Sequence, residues 1–185
     1  MIQSESLGMG NVSLSVTATG PNGKTIFKKP YILNINPTPN NPAINEAPTA
    51  DQGLLVTAQY KNAGKEVQKI DKLDGHYKNL LNKKLTLEKI QIDGQFNVTQ
   101  SGFHQLTVRT KGKITISVDG QRYQRDAPKD EYGLVYIPMF LDVGWHDISI
   151  KPAPEGLGKL TILLSGNQAP MILGGKQVRY NQSIM

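Results

Sequence analysis

The sequence contains no cysteine, which excludes disulfides, thiolate nucleophiles and cysteine-ligated metals. Aromatic residues are scarce at 6%, with one tryptophan, so few rings are free to build a ligand platform. Acidic residues number 15 against 21 basic ones, a formal net charge of +6. Over 185 residues that excess is mild and falls short of a nucleic-acid-binding tail. No apolar run reaches the length of a membrane-spanning helix. Residues 1–10 lack the basic and apolar regions of a secretory signal. The chain is read as a cytosolic protein or as a piece of a longer secreted one, and the linker described below favours the piece. No Gly-x-Ser-x-Gly elbow, P-loop or dinucleotide fingerprint occurs. Spacing selects no hydrolytic pair among Asp119, Asp126, Asp130, Glu131, Asp142 and Asp147. Of His76, His104 and His146, the last two lie in expected strands and could come close in space, but two histidines without a third ligand make a poor zinc site. The expectation is a protein without catalytic residues, metal or cofactor.

What is present is alternation. Residues 90–98, 103–109 and 114–118 form three short runs within 90–120. Leu106 and Val108 fall on one face of the second run, and Ile114, Ile116 and Val118 on one face of the third. A period of two is the mark of a strand buried on one side. Lys111-Gly112 and Asp119-Gly120 are read as hairpin closures, because glycine adopts positive φ without a Cβ clash.

Further strands are expected at 53–60, 134–140, 145–151 and 159–165, with an interrupted last one in 171–180. Short strands separated by turn signals indicate an all-β, antiparallel, jelly-roll-like β-sandwich. Residues 67–81 show roughly helical spacing and are read as one or two short helical turns. Residues 121–133 are read as a long polar loop. Upstream, residues 11–36 contain a hairpin about Gly20-Pro21-Asn22-Gly23. Residues 37–52, rich in Pro, Asn, Ala and Thr, read as a linker of the kind that joins modules of surface proteins. The expected division is a hairpin at 1–36, the linker at 37–52 and a sandwich at 53–185.

Two resemblances follow. The run SLSVTATGPNGKT resembles the closing hairpin of bacterial immunoglobulin-like surface domains; the alternative is that these are extra strands of the sandwich. The order Gly53-Leu54…Tyr60, Ile90-Gln91-Ile92-Asp93-Gly94, Gln100-Ser101-Gly102, Val118-Asp119-Gly120 and Asp142-Val143-Gly144-Trp145-His146 resembles the protective-antigen-type lectin-like module, named after an anthrax toxin component. That resemblance spans about 53–165 and implies a β-sandwich that binds carbohydrate. Calcium-dependent members carry two adjacent aspartates before the central glycine. Here Thr110 and Lys111 precede Gly112. A lysine supplies a positive charge where calcium requires oxygen ligands, so calcium-free binding is expected.

The aromatic residues of the polar loops are the best lead to a ligand. Tyr123, Tyr132 and Trp145 can stack on sugar faces, with Arg122, Arg125 and Asp130 supplying hydrogen bonds. The same rings equally suit packing with only their tips exposed. Lys65, Lys69, Lys72, Lys78, Lys83, Lys84 and Lys89 form a basic stretch, read as a solvated face or as a landing site for an acidic polysaccharide. The expected function is an extracellular or envelope-attached, non-catalytic module recognising carbohydrate or a glycan-bearing surface. It would neighbour other domains of a longer chain and bind no nucleic acid. The alternative is a structural module that packs against another domain or subunit.

Overall fold

A computed structural model describes residues 10–35, 40–43, 50–166 and 169–181. The chain divides into two compact units, Met1–Pro39 and Asn40–Met185. The first unit holds a hairpin. Strand β1 (Gly10–Thr19) pairs antiparallel with β2 (Thr25–Ile35), with an irregularity at Ala18/Thr19. Gly23, at φ 74°, turns the chain, and the Asn22 side chain accepts from the Lys24 N–H at 3.1 Å.

The second unit is a sandwich of two sheets. The named strands are β3 (Asn40–Asn41), β4 (Ala50–Gln52), β5 (Leu54–Tyr60), β6 (Gly64–Ile70), β7 (Asp74–Gly75), β8 (Leu87–Val98) and β9 (Gly102–Thr110). They continue with β10 (Lys113–Val118), β11 (Gln121–Asp126), β12 (Gly133–Leu141), β13 (Gly144–Pro152), β14 (Leu160–Ser165), β15 (Met171–Ile172) and β16 (Val178–Asn181). Among the described residues one sheet has eight strands, in the order β11-β10-β13-β8-β16-β4, with β5 also on β8 and β6 outside β5. The other has six, in the order β15-β14-β9-β12-β3, with β7 on β14. All pairings are antiparallel except the short parallel one between β3 and β12. The all-β sandwich expected from the alternation is the observed fold.

The core lies between the sheets. Ile90, Ile92, Phe96 and Val98 point in from β8, and Ile114, Ile116 and Val118 from β10. Leu106 and Val108 face them from β9, with Ile137, Met139 and Leu141 from β12. Strand β8 serves two partners along one edge: Leu87–Asp93 pairs with β5, and Gln95–Phe96 with β16. Gly94 sits at the handover, on the inward face. A Cβ there would strike the Leu54 side chain and come 2.8 Å from the Arg179 carbonyl.

Four expectations are corrected. Lys111-Gly112 does not close a hairpin. It carries the chain from β9 in one sheet to β10 in the other, whereas Asp119 (φ 48°) and Gly120 (φ 80°) make a true two-residue hairpin between β10 and β11. A left-handed glycine marks a turn but does not say which strands flank it. Residues 121–126 are strand β11, not loop. Residues 64–70 are strand β6, so within 67–81 helical geometry is confined to one 3-10 turn at Tyr77–Leu80. The stretch 37–52 also contributes to the sandwich, since β3 pairs with Phe140–Leu141 and β4 with Arg179–Asn181.

Replacing Gly94 by alanine is expected to destabilise the sandwich by about 1–3 kcal/mol, because the obstructing carbonyl belongs to a paired strand and cannot yield as a side-chain tip would. Urea denaturation of the G94A variant measures this.

Candidate functional site

The six residues singled out from the sequence are not gathered at one place. Arg122 points outward from β11 and is exposed, while Tyr123 is half-buried and packs against the core. Arg125 reaches to the open edge of β12, where its Nε donates to the Tyr136 carbonyl at 3.4 Å. Trp145 is the second residue of β13, at the far end of the sandwich, opposite Asn97. The Arg179 guanidinium lies 3.9 Å from its ring centroid. Arg179 is fixed there by an Nε bond to Gln95 (2.7 Å), and Gln95 in turn donates to Asp147 (2.7 Å). One face of Trp145 is therefore occupied.

Asp130 and Tyr132 lie at the opposite end, beside the corner at Lys111. Lys111 Nζ donates to the Asp130 carbonyl at 2.6 Å and stands 4.8 Å from the Tyr132 ring centroid. The cation at this corner thus pins the loop of residues 127–132. The corner is closed from above by the 3-10 turn Pro154–Gly158: Gly156 abuts Thr110 and Gly158 abuts the Tyr132 hydroxyl so closely that neither has room for a Cβ.

The same end holds a cleft that the sequence reading missed. Its volume is about 470 Å³. The floor is Tyr60, Leu81, Leu85, Leu87 and Leu157, and the rim is Lys78, Asn82, Lys83, Pro154 and Glu155. Local chemistry builds each wall. The Asn82 side chain accepts from the Lys84 N–H at 3.0 Å, and the Leu85 N–H bonds back to the Asn82 carbonyl. Such an Asx turn leaves Lys83 at an exposed tip. The Tyr60 hydroxyl ties this turn to the sheet, accepting from the Asn82 N–H (2.8 Å) and donating to Glu66 (3.1 Å). Burial, with Glu66 adding to it, pushes the Tyr60 phenol up, so it stays neutral and can donate. Gln68 Nε2 adds a bond to the Leu80 carbonyl at 2.7 Å. Proline at the start of the 3-10 turn sets the opposite wall. The one signal for this cleft in the sequence is a group of leucines at 80, 81, 85 and 87, lying in a lysine-rich stretch without a strand period.

The lysine stretch does not form one patch. Lys65 and Lys89 flank Gln59 on the outer face of β6, β5 and β8. Lys72 pairs with Asp74 at 3.9 Å, and Lys69 lies 6.0 Å from the Tyr180 ring centroid. Lys78 and Lys83 stand on the cleft.

His104 and His146 have separate partners. His104 Nδ1 is 2.9 Å from the Gly102 carbonyl. His146 is fully buried between the Asp119 carboxylate (Nδ1, 2.7 Å) and the Asp142 carbonyl (Nε2, 2.8 Å). Both partners are acceptors, so the protonated ring, with a donor on each nitrogen, satisfies both at once. Burial opposes that charge, but the bonds to Asp119 and Asp142 outweigh it and raise the pKa above 6.5. The other Asp119 oxygen accepts from the Asp147 N–H at 2.8 Å, so the pair fastens the β10–β11 turn to β13. Among the described residues no group of three or more His, Asp or Glu is placed to hold a metal ion. Among them, too, no helix is long and apolar enough to cross a membrane.

No protein-family model and no curated protein sequence matches the chain. Solved structures match by shape. An anti-sigma factor domain-containing protein aligns with TM-score 0.61 at 12% identity, over 76% of this chain and 52% of that one. This chain therefore spans about half the length of that protein. The PA14 domain of the MpAFP antifreeze protein aligns with TM-score 0.55 at 12% identity, over 75% of this chain and 95% of that domain. The epithelial adhesin 9 A domain of Candida glabrata, solved in complex with Galβ1-3GlcNAc, aligns with TM-score 0.55 at 9% identity, over 78% and 96%. At these identities the likeness is one of fold. The chain has the β-sandwich fold that PA14 and adhesin A domains share.

The His146 pair predicts a pH dependence. A folded pKa raised above the unfolded one contributes stability that is fully present below about 6.5 and is lost as pH rises through the folded value. Thermal unfolding is expected to shift to lower temperature over that window, and the Asp119→Asn variant should flatten the trend.

Proposed function

We propose that this sandwich is a non-catalytic, protective-antigen-type carbohydrate-binding module of a secreted or surface-attached protein, and that it binds its sugar in the cleft between the Asn82 turn and the 3-10 turn Pro154–Gly158. The carrying observation is the cleft itself: an apolar floor with a few convergent polar groups, of a volume suited to a small saccharide. Tyr132, beside it across Gly158, extends the site. Binding proceeds without calcium, because the Lys111 ammonium already holds the corner loop through Asp130 and Tyr132. The PA14 and glycan-bound adhesin domains with the same fold support the class of ligand.

A glycan panel tests this reading. Binding is expected to survive a chelator and to be lost when Leu85→Trp fills the cleft, with folding checked by circular dichroism. Failure to bind any glycan rejects it.

One observation favours a second reading, a module that packs against another protein surface. Leu134 and Tyr136 of β12 and Phe103 of β9 are each about half exposed on the outer face of the six-stranded sheet (51%, 50% and 53%). Across that face Tyr136 lies opposite Thr107, Thr107 opposite Leu163, and Leu163 opposite Ile172. Exposed apolar patches of this kind mark association surfaces. Sedimentation should then show self-association that Leu134→Glu with Tyr136→Glu abolishes; a monomer at all concentrations would reject self-packing.

A further inference from the structure

Among the described residues several lysines lack a partner for the ammonium group, Lys65, Lys84 and Lys89 among them, but of these only Lys78 and Lys83 line the cleft. Lys72 has Asp74, Lys111 has the Asp130 carbonyl, and Lys69 lies near Tyr180. Among the described residues the ammonium groups of Lys78 and Lys83 make no ion pair and no hydrogen bond. Both line the cleft, where Glu155 is the single acidic residue. The stem of Lys78 runs beside Gly158, which leaves its charge at the cleft wall.

Two unpaired cations above a leucine floor select a ligand with two kinds of surface. A bare inorganic anion would satisfy the lysines but leave the leucines facing water. A neutral sugar would cover the leucines but leave the charges unused. A nucleic acid needs exposed rings for base stacking. The floor's one aromatic, Tyr60, is 2% exposed, and the neighbouring Tyr132 ring is half-buried with the Lys111 ammonium over it, so neither offers such a platform. We propose that the cleft takes an acidic saccharide, one bearing a carboxylate or sulfate, with the apolar face of its ring on the half-buried Leu81, Leu85 and Leu87 and its oxyanion held by Lys78 and Lys83. This rests on the carbohydrate reading of the same cleft and names its ligand class. Charge-assisted hydrogen bonds to an oxyanion are the stronger kind, so these two lysines set specificity.

The test is calorimetric titration of the full chain with a chondroitin sulfate hexasaccharide, which carries both anionic groups, and with the same hexasaccharide desulfated and carboxyl-reduced. The acidic form should bind at least about tenfold more tightly, the equivalent of one charge-assisted hydrogen bond. Lys78→Gln with Lys83→Gln should bring it to the level of the neutral form. Lys65→Gln with Lys89→Gln, on the outer sheet face, should leave it unchanged. Equal binding of the neutral form overturns the proposal while the carbohydrate reading stands. Unchanged binding by the K78Q/K83Q variant overturns it as well, as does equal binding of single-stranded DNA of matched charge. If neither hexasaccharide nor any glycan of the panel binds, both readings fail.

Discussion

Strand β8 is the constraint on which the sandwich depends. It pairs along one edge with β13 and along the other with two different strands, β5 and then β16. Both must end at the same point, and Gly94 is that point: the Leu54 side chain occupies the space a Cβ would take. The inward row Ile90, Ile92, Phe96 and Val98 is interrupted there and filled from β5 instead. Moving β8 by one residue would turn that row to solvent and put Asp93 or Gln95 into the core, so the register of both halves of the edge is fixed together.

That arrangement also positions the cleft. Leu87 starts β8 opposite Tyr60, the last residue of β5, and the Tyr60 hydroxyl then anchors the Asn82 turn. The opposite wall hangs on the corner at Gly112, through Gly156 against Thr110. The cleft is thus framed by hydrogen-bonded turns attached to strand ends, while its cationic tips remain free.

The sandwich was legible in the sequence wherever a strand has one buried face, as in β9 and β10. Strand β11 was not, because its residues alternate between exposed and half-buried and none is apolar except the ring of Tyr123. Strands of two or three residues such as β3 and β4 have no period to detect. The Lys111-Gly112 corner was read as a hairpin because local turn chemistry is the same for both. The cleft was hidden for a different reason: Tyr60, Leu85 and Leu157 are far apart in sequence and meet only through sheet pairing. Trp145 and Tyr123 were chosen by residue type; Arg179 occupies one face of the first, and the second packs against the core.

The corners have a consequence for how the chain reaches its fold. From β8 to β14 the polypeptide changes sheet at every connection but the β10–β11 hairpin. Nearest neighbours within a sheet, such as β8 with β13 or β9 with β14, are consequently remote along the chain. Neither layer can assemble first as a row of local hairpins. Loops must close, at an entropic cost, before the pairings that reward them exist. The pairings of β8 with β13 and of β9 with β14 can form only once β13 and β14 have been synthesised. Until those strands are present, the apolar faces of β8 and β9 lack these partners, and uncovered strand faces are where chains of this kind meet one another.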